Sequence, residues 1–205
     1  MPGTTCTGRF LWYELLTSDP SRSESFYSQL LGWQPRPWEG SEPPYTMWTV
    51  GGQPIGGLME LPEEARERGA PSHWLPYLGT DDVDATAERA RELGAETMVP
   101  PTDIPDVGRF SVLKDPQGVL FAIYTPSSEP GDEGGEPGFG HVSWNELGTT
   151  DHEAALAFYG ELMGWGETNT HDMGDMGVYR IYGTPERDYG GMYDLPAGTG
   201  APPAW

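Results

Sequence analysis

The apolar pattern changes period at regular intervals along the chain and does so twice in nearly the same words. Residues 9–16 alternate, with Trp12, Glu14 and Leu16 on one face and Tyr13, Leu15 and Thr17 on the other, as a half-buried strand does. The period then becomes helical: Phe26 and Leu30 stand four apart, behind Asp19-Pro20 and ahead of Gly32. Asp19 is a good N-cap with proline in the first turn, and Gly32 sits where a left-handed residue ends a helix. Aromatic and β-branched runs at 33–38, 45–50 and 54–61, split by glycine and proline, predict three more strands. The predicted unit is strand, helix, three strands.

Phe26-Tyr27-Ser28-Gln29-Leu30-Leu31-Gly32-Trp33 returns as Phe158-Tyr159-Gly160-Glu161-Leu162-Met163-Gly164-Trp165. Trp12, Glu14, Thr17 and Asp19 return as Trp144, Glu146, Thr149 and Asp151. Gly56-Gly57 and Leu61-Pro62 return as Gly190-Gly191 and Leu195-Pro196, and Pro71 and Trp74 as Pro202 and Trp205. The second copy has its own strand at 141–148, an apolar stripe of Ala155, Phe158 and Leu162, and Thr150 with Glu153 as a capping box.

Residues 73–124 follow the same order with different residues. His73–Leu78 is a strand; Asp82 caps a helix with Val83, Ala87, Ala90 and Leu93 on one face, and Gly94 ends it. Strands follow at Ala95–Val99, Arg109–Lys114 and Val119–Tyr124, the last two joined by the tight turn Asp115-Pro116-Gln117-Gly118. Glu63–Pro71 is a charged, partly helical connector. Residues 126–138 carry no hydrophobic side chain and predict a flexible linker.

The expected organisation is therefore α+β: a domain at 1–125 made of modules 8–62 and 73–125, the linker 126–138, and a third βαβββ module at 139–205. Three modules stand where the repeat logic calls for four.

A net charge of −21 opposes nucleic acid and acidic membrane surfaces as partners. Twenty-nine glycines and 21 prolines suit many short strands and turns. The lone Cys6 lies near a terminus expected to fray, so no disulfide framework is expected. No long apolar run or basic leader is present, which leads to a cytoplasmic expectation.

The Phe-Tyr…Leu-Leu-Gly-Trp pattern of 19–33, its copy at 151–165, the segment 82–94 and the Asp115–Gly118 turn together resemble the glyoxalase/bleomycin-resistance/extradiol-dioxygenase superfamily, also called vicinal oxygen chelate. The resemblance implies that two modules pair their sheets into a half-barrel whose concave face holds a ligand. It also implies metal ligands, usually His, Gln or Glu, on the first and last strands of each module. Carried onto this chain, the first-strand positions are Trp12, Leu75 and Trp144, and the last-strand position of the second module is Ala122. None is a donor; Glu60 and His73 are the nearby weak metal candidates.

Glu14 and Glu146 are the acids of interest. A carboxylate on the face of Trp12, flanked by indole, is either partly desolvated for ligand binding or general-base work, or a structural acceptor where sheets join. Trp12, Trp48 and Met59 suit the lining of a cleft for an aromatic ligand, with core filling as the alternative for each. Trp33 and Trp165 are expected in the core. His73 stands two residues before Leu75 and either reaches the cleft or is a partly exposed structural residue. His171, Asp172 and Asp175 read as a solvated turn.

The expectation is a small-molecule binder of the resistance or sequestration type, without the family's metal. Its site comprises Glu14 (as the catalytic candidate), Trp12, Trp48, Met59, His73, Leu75, Ala122, Trp144 and Glu146. The alternative is a metal-dependent lyase, isomerase or dioxygenase with an atypical divalent-metal ligand set. The sheet edge at Trp144 and the Gly190-Gly191 strand leads to the further expectation of a homodimer through 139–205.

Overall fold

The structure, a computed structural model, describes residues 6–39, 41–128 and 138–205. Most of the linker expected at 126–138 lies outside the described residues.

Each predicted module forms as strand, helix, three strands. The first is β1 (Phe10–Thr17), α1 (Pro20–Leu31), β2 (Gln34–Pro37), β3 (Tyr45–Val50) and β4 (Gln53–Glu60). A short α2 (Glu63–Glu67) occupies the connector. The second is β5 (His73–Gly79), α3 (Val83–Glu92), β6 (Glu96–Ile104), β7 (Gly108–Lys114) and β8 (Leu120–Pro126). The third is β9 (Asn145–Thr149), α4 (His152–Met163), β10 (Gly166–Asp172), β11 (Val178–Thr184) and β12 (Arg187–Asp194). Among the described residues the twelve strands fall in two sheets. Within them the orders are β2-β3-β4-β1, β6-β7-β8-β5 and β10-β11-β12-β9, the same arrangement three times. In each, the strand before the helix pairs with or neighbours the last strand; β1 with β4 and β9 with β12 run parallel.

The helix ends follow local chemistry. Asp19 Oδ1 accepts from Arg22 N, Asp82 Oδ1 from Ala85 N and Asp151 Oδ1 from Ala154 N. The cap of α4 is thus Asp151, not the Thr150 of the expected capping box, because Asp151 reproduces Asp19. Gly32 and Gly164 close α1 and α4 at φ 71° and 76°, the left-handed region open to glycine.

Contacts divide the chain into two compact units. One holds, of the described residues, 6–11, 78–128 and 143–205; the other holds 12–39, 41–77 and 138–142. β1 and β5 run through the boundary. The second of these units is centred on Leu15, Trp33, Trp48 and Leu58, with Tyr27, Leu31 and Trp74 packed against them. The ring of Tyr27 stacks on Trp33 at 5.5 Å, and Trp33 lies 5.6 Å from Trp48. The other unit joins the second and third modules through a cluster of rings: Trp165 stacks on Phe10 and Tyr159, and Phe158 meets Phe121 edge-on.

Two findings differ from the sequence expectation. Phe26 and Leu30, the predicted inward stripe of α1, are 55% and 60% exposed, and α1 turns Tyr27 and Leu31 to the core instead. Their counterparts Phe158 and Leu162 are buried. Cys6 is packed rather than frayed: its thiol reaches Thr80 O at 3.2 Å, and burial pushes its pKa up to about 11.

Candidate functional site

Glu14 stands at the middle of β1, which lies between β4 and β5 in the strand order. It is 6% exposed, and burial is the main cause that raises its carboxyl to about 7 from an ordinary 4.5. The opposing influence is Tyr77 on β5, whose hydroxyl donates to Glu14 Oε2 at 2.8 Å. Across the parallel ladder Glu14 is in register with Gly57. A Cβ on Gly57 would lie 1.9 Å from the Tyr45 hydroxyl oxygen, so Gly57 leaves the room in which the Tyr45 ring lies across β4. Tyr45 Oη in turn accepts from the indole N–H of Trp12 at 2.9 Å. The result is an indole and two phenols arranged about one buried carboxyl.

That set can hold a ligand's hydrogen-bond donor, or a proton, beside flat aromatic surface. A carboxyl titrating near neutrality in low dielectric suits either task.

The other sequence candidates divide. Trp48 lies at 0% exposure in the core against Trp33, as its core alternative has it. Leu75 and Ala122 are likewise buried, at 4% and 0%. Met59 is half-buried on β4 opposite Tyr45. His73, at the start of β5, has Nδ1 2.9 Å from Pro71 O and lines a different depression, with Phe26 and Trp74. Glu60 is exposed and paired with Arg66.

In the third module the set returns. Trp144 donates to Tyr179 Oη at 2.7 Å, Tyr179 donates to Glu146 Oε1 at 2.8 Å, and a Cβ on Gly191 would lie 1.9 Å from the Tyr179 ring. Here Glu146 is exposed and Trp144 is 40% exposed. Tyr45 and Tyr77 were missed in the sequence. Tyr45 had a signal: a tyrosine recurs at Tyr179, one strand ahead of each Gly-Gly pair.

The donor set does not fit a metal. The positions the family would use hold Trp12, Leu75 and Ala122, and Glu14 is a lone carboxyl facing a phenol. Among the described residues no group of three or more His, Cys, Asp and Glu is placed to hold an ion.

Repeated βαβββ modules with one strand order define a glyoxalase-like scaffold. The profile of the Glyoxalase/Bleomycin resistance protein/Dioxygenase superfamily matches residues 9–123, and the chain belongs to that family. It is 32% identical over 203 residues to the putative glyoxylase CFP32 of Mycobacterium tuberculosis (strain CDC 1551 / Oshkosh), covering 95% of this chain and 74% of that protein. It is 30% identical to the anthracycline biosynthesis protein DauV of Streptomyces sp. (strain C5), over 85% of this chain and 67% of the relative. In fold it resembles the Mn(II)-bound glyoxalase of Novosphingobium aromaticivorans, with a TM-score of 0.63 at 15% identity over 94% of this chain and 64% of that one. No helix among the described residues is long and apolar enough to cross a membrane.

Proposed function

We propose that the chain binds a small aromatic or hydrophobic molecule against the Trp12–Tyr45–Glu14–Tyr77 face, without the family's usual metal. The observation that carries this reading is Glu14: a buried carboxyl held by a phenol and raised to about 7 by burial. Such a group is costly to the fold, and a ligand donor placed on it regains the lost hydration. The rings of Trp12 and Tyr45 supply flat contact area with their polar ends already joined to each other. Kinship with proteins named for anthracycline biosynthesis agrees with an aromatic ligand.

A second reading is enzymatic: Glu14 as a general base, which a titration near neutrality favours. A metal-dependent version needs a ligand set that the described residues do not supply.

The test is a panel of aromatic and polycyclic ligands read by tryptophan fluorescence, with metal analysis of untreated protein alongside. Trp12→Ala is expected to weaken binding about tenfold or more while the melting temperature falls little. Binding per folded molecule that does not change would place Trp12 in a structural role. Stoichiometric transition metal whose chelation abolishes binding would overturn the metal-free reading. Turnover of a bound ligand that Glu14→Gln abolishes would decide for the enzyme.

A further inference from the structure

The carboxyl of Glu14 is buried among rings and has no counter-ion. Trp12 stands on the same strand, and Tyr77 on β5 donates to Oε2 at 2.8 Å. Gly57, the ladder partner of Glu14 on β4 about 4.8 Å away, leaves the space in which the Tyr45 ring lies. Met59, opposite Tyr45 in the β3–β4 ladder, adds a polarisable thioether to the same face of β4 as Gly57. None of these side chains carries a charge. Burial and the Tyr77 hydroxyl are the causes that move the titration of Glu14, with no cation among them.

One hydrogen bond from a neutral phenol offsets little of the cost of taking a carboxylate out of water. Such a group either keeps its proton or takes a cation. The surrounding rings favour the cation. Trp12 and Tyr45 join their polar ends to each other at 2.9 Å, which leaves their π-faces for contact with a ligand. Those faces attract positive charge, the indole most strongly. Both rings are half-buried and so meet solvent, which Glu14 at 6% exposure scarcely does. The net charge of −21 acts in the same direction at longer range, gathering cations and repelling anions. A ligand whose polar end is a carboxylate or phosphate is disfavoured on both grounds.

We propose that the ligand of this face is an organic cation: a small aromatic or hydrophobic molecule whose protonated amine or quaternary ammonium pairs with Glu14 between the rings of Trp12 and Tyr45. The proposal rests on the Glu14 face being the binding site and adds the charge of what binds there. A cation binds the ionised carboxyl. Its uptake below neutrality therefore releases the proton that burial retains, and affinity rises with pH through about 7.

The test uses the ¹⁵N-labelled full chain and three probes of nearly one shape. They are phenyltrimethylammonium, its carbon counterpart tert-butylbenzene, and 4-tert-butylphenol as a neutral hydroxyl donor. The ammonium does not titrate, so any pH dependence belongs to the protein. At pH 8 it is expected to shift the Trp12 indole signal and to bind about tenfold or more tighter than either neutral probe. At pH 5 its affinity is expected to fall about tenfold or more, while that of tert-butylbenzene changes little. Glu14→Gln is expected to abolish both the preference and the pH dependence. Glu161→Gln, which removes an exposed acid of α4, is expected to leave both unchanged and so separates the site from general attraction to an acidic chain. Should Glu14→Gln fail to fold, Trp12→Leu keeps an apolar side chain without the π-face; it is expected to weaken the ammonium more than tert-butylbenzene. Equal binding of ammonium and tert-butylbenzene at Trp12, or ammonium affinity independent of pH, would overturn the proposal and leave the binding face standing. Tighter binding of 4-tert-butylphenol than of the ammonium would also overturn it, and would assign Glu14 a neutral donor. Shifts at none of Trp12, Tyr45 and Tyr77 with any probe would overturn the binding face along with it.

Discussion

In the first module Glu14 is sealed under Tyr77, and the helix behind it leaves Phe26 and Leu30 in solvent. In the third, Glu146 is exposed with Tyr179 as its partner, and the helix buries Phe158 and Leu162. The local sequences are nearly the same, down to the tryptophan, tyrosine and glycine that surround each glutamate. What differs is the neighbour. β5 lies beside β1 and brings Tyr77 over the carboxyl, whereas the second module packs on the third at its helix side and brings Phe121 and Gln117. Burial, and with it carboxyl chemistry, is thus conferred from outside the module. The same strand makes a candidate site in one place and an exposed sheet face in the other.

The comparison can be broken most sharply at the helices. Phe158→Ala is expected to cost about 3–5 kcal/mol by opening a cavity against Phe121, while Phe26→Ala stays within about 0.5 kcal/mol. Chemical denaturation of both variants checks this, and equal losses would show that Phe26 is covered in solution.

The next effect is in pH. Folded Glu14 holds its proton more tightly than the unfolded chain does, so its contribution is fully present below its ordinary value of 4.5 and is lost as pH rises through about 7. The loss is roughly 3 kcal/mol across that window. Glu14→Gln is expected to flatten this part of the stability profile. Asp115, raised by burial, keeps its own slope in the same direction. Glu146→Gln, at an exposed position, is expected to change stability by no more than about 0.5 kcal/mol. Melting temperatures from pH 4 to pH 8 separate the two.

The smallest contrast lies in the glycines. Gly57→Ala drives a methyl into the Tyr45 hydroxyl and is expected to cost about 1–3 kcal/mol. Gly191→Ala meets Tyr179 as closely, but a ring on a more exposed face can swing away, so the cost is expected to be smaller. Denaturation midpoints rank the pair.

The amino-acid order by itself determined the modules. Alternation, helical spacing, Asp caps and Gly stops are local, so strand–helix–three strands could be read three times, and the repeat marked Trp12 and Glu14 as a recurring pair. The Asp115–Gly118 turn was legible for the same reason, because Asp115 accepts from Gln117 and Val119 within its own loop. What only the tertiary structure decided is which copies of those residues lose water. Trp48 went to the core although its strand pattern equally suited a cleft. Phe26 stayed outside although Phe158 did not, and Gln117 became the plug of a distant helix start. Tyr77 closed over Glu14 from a strand more than sixty residues away. Desolvation depends on what a neighbouring element brings, and a periodic pattern records that a face is apolar without recording what will cover it.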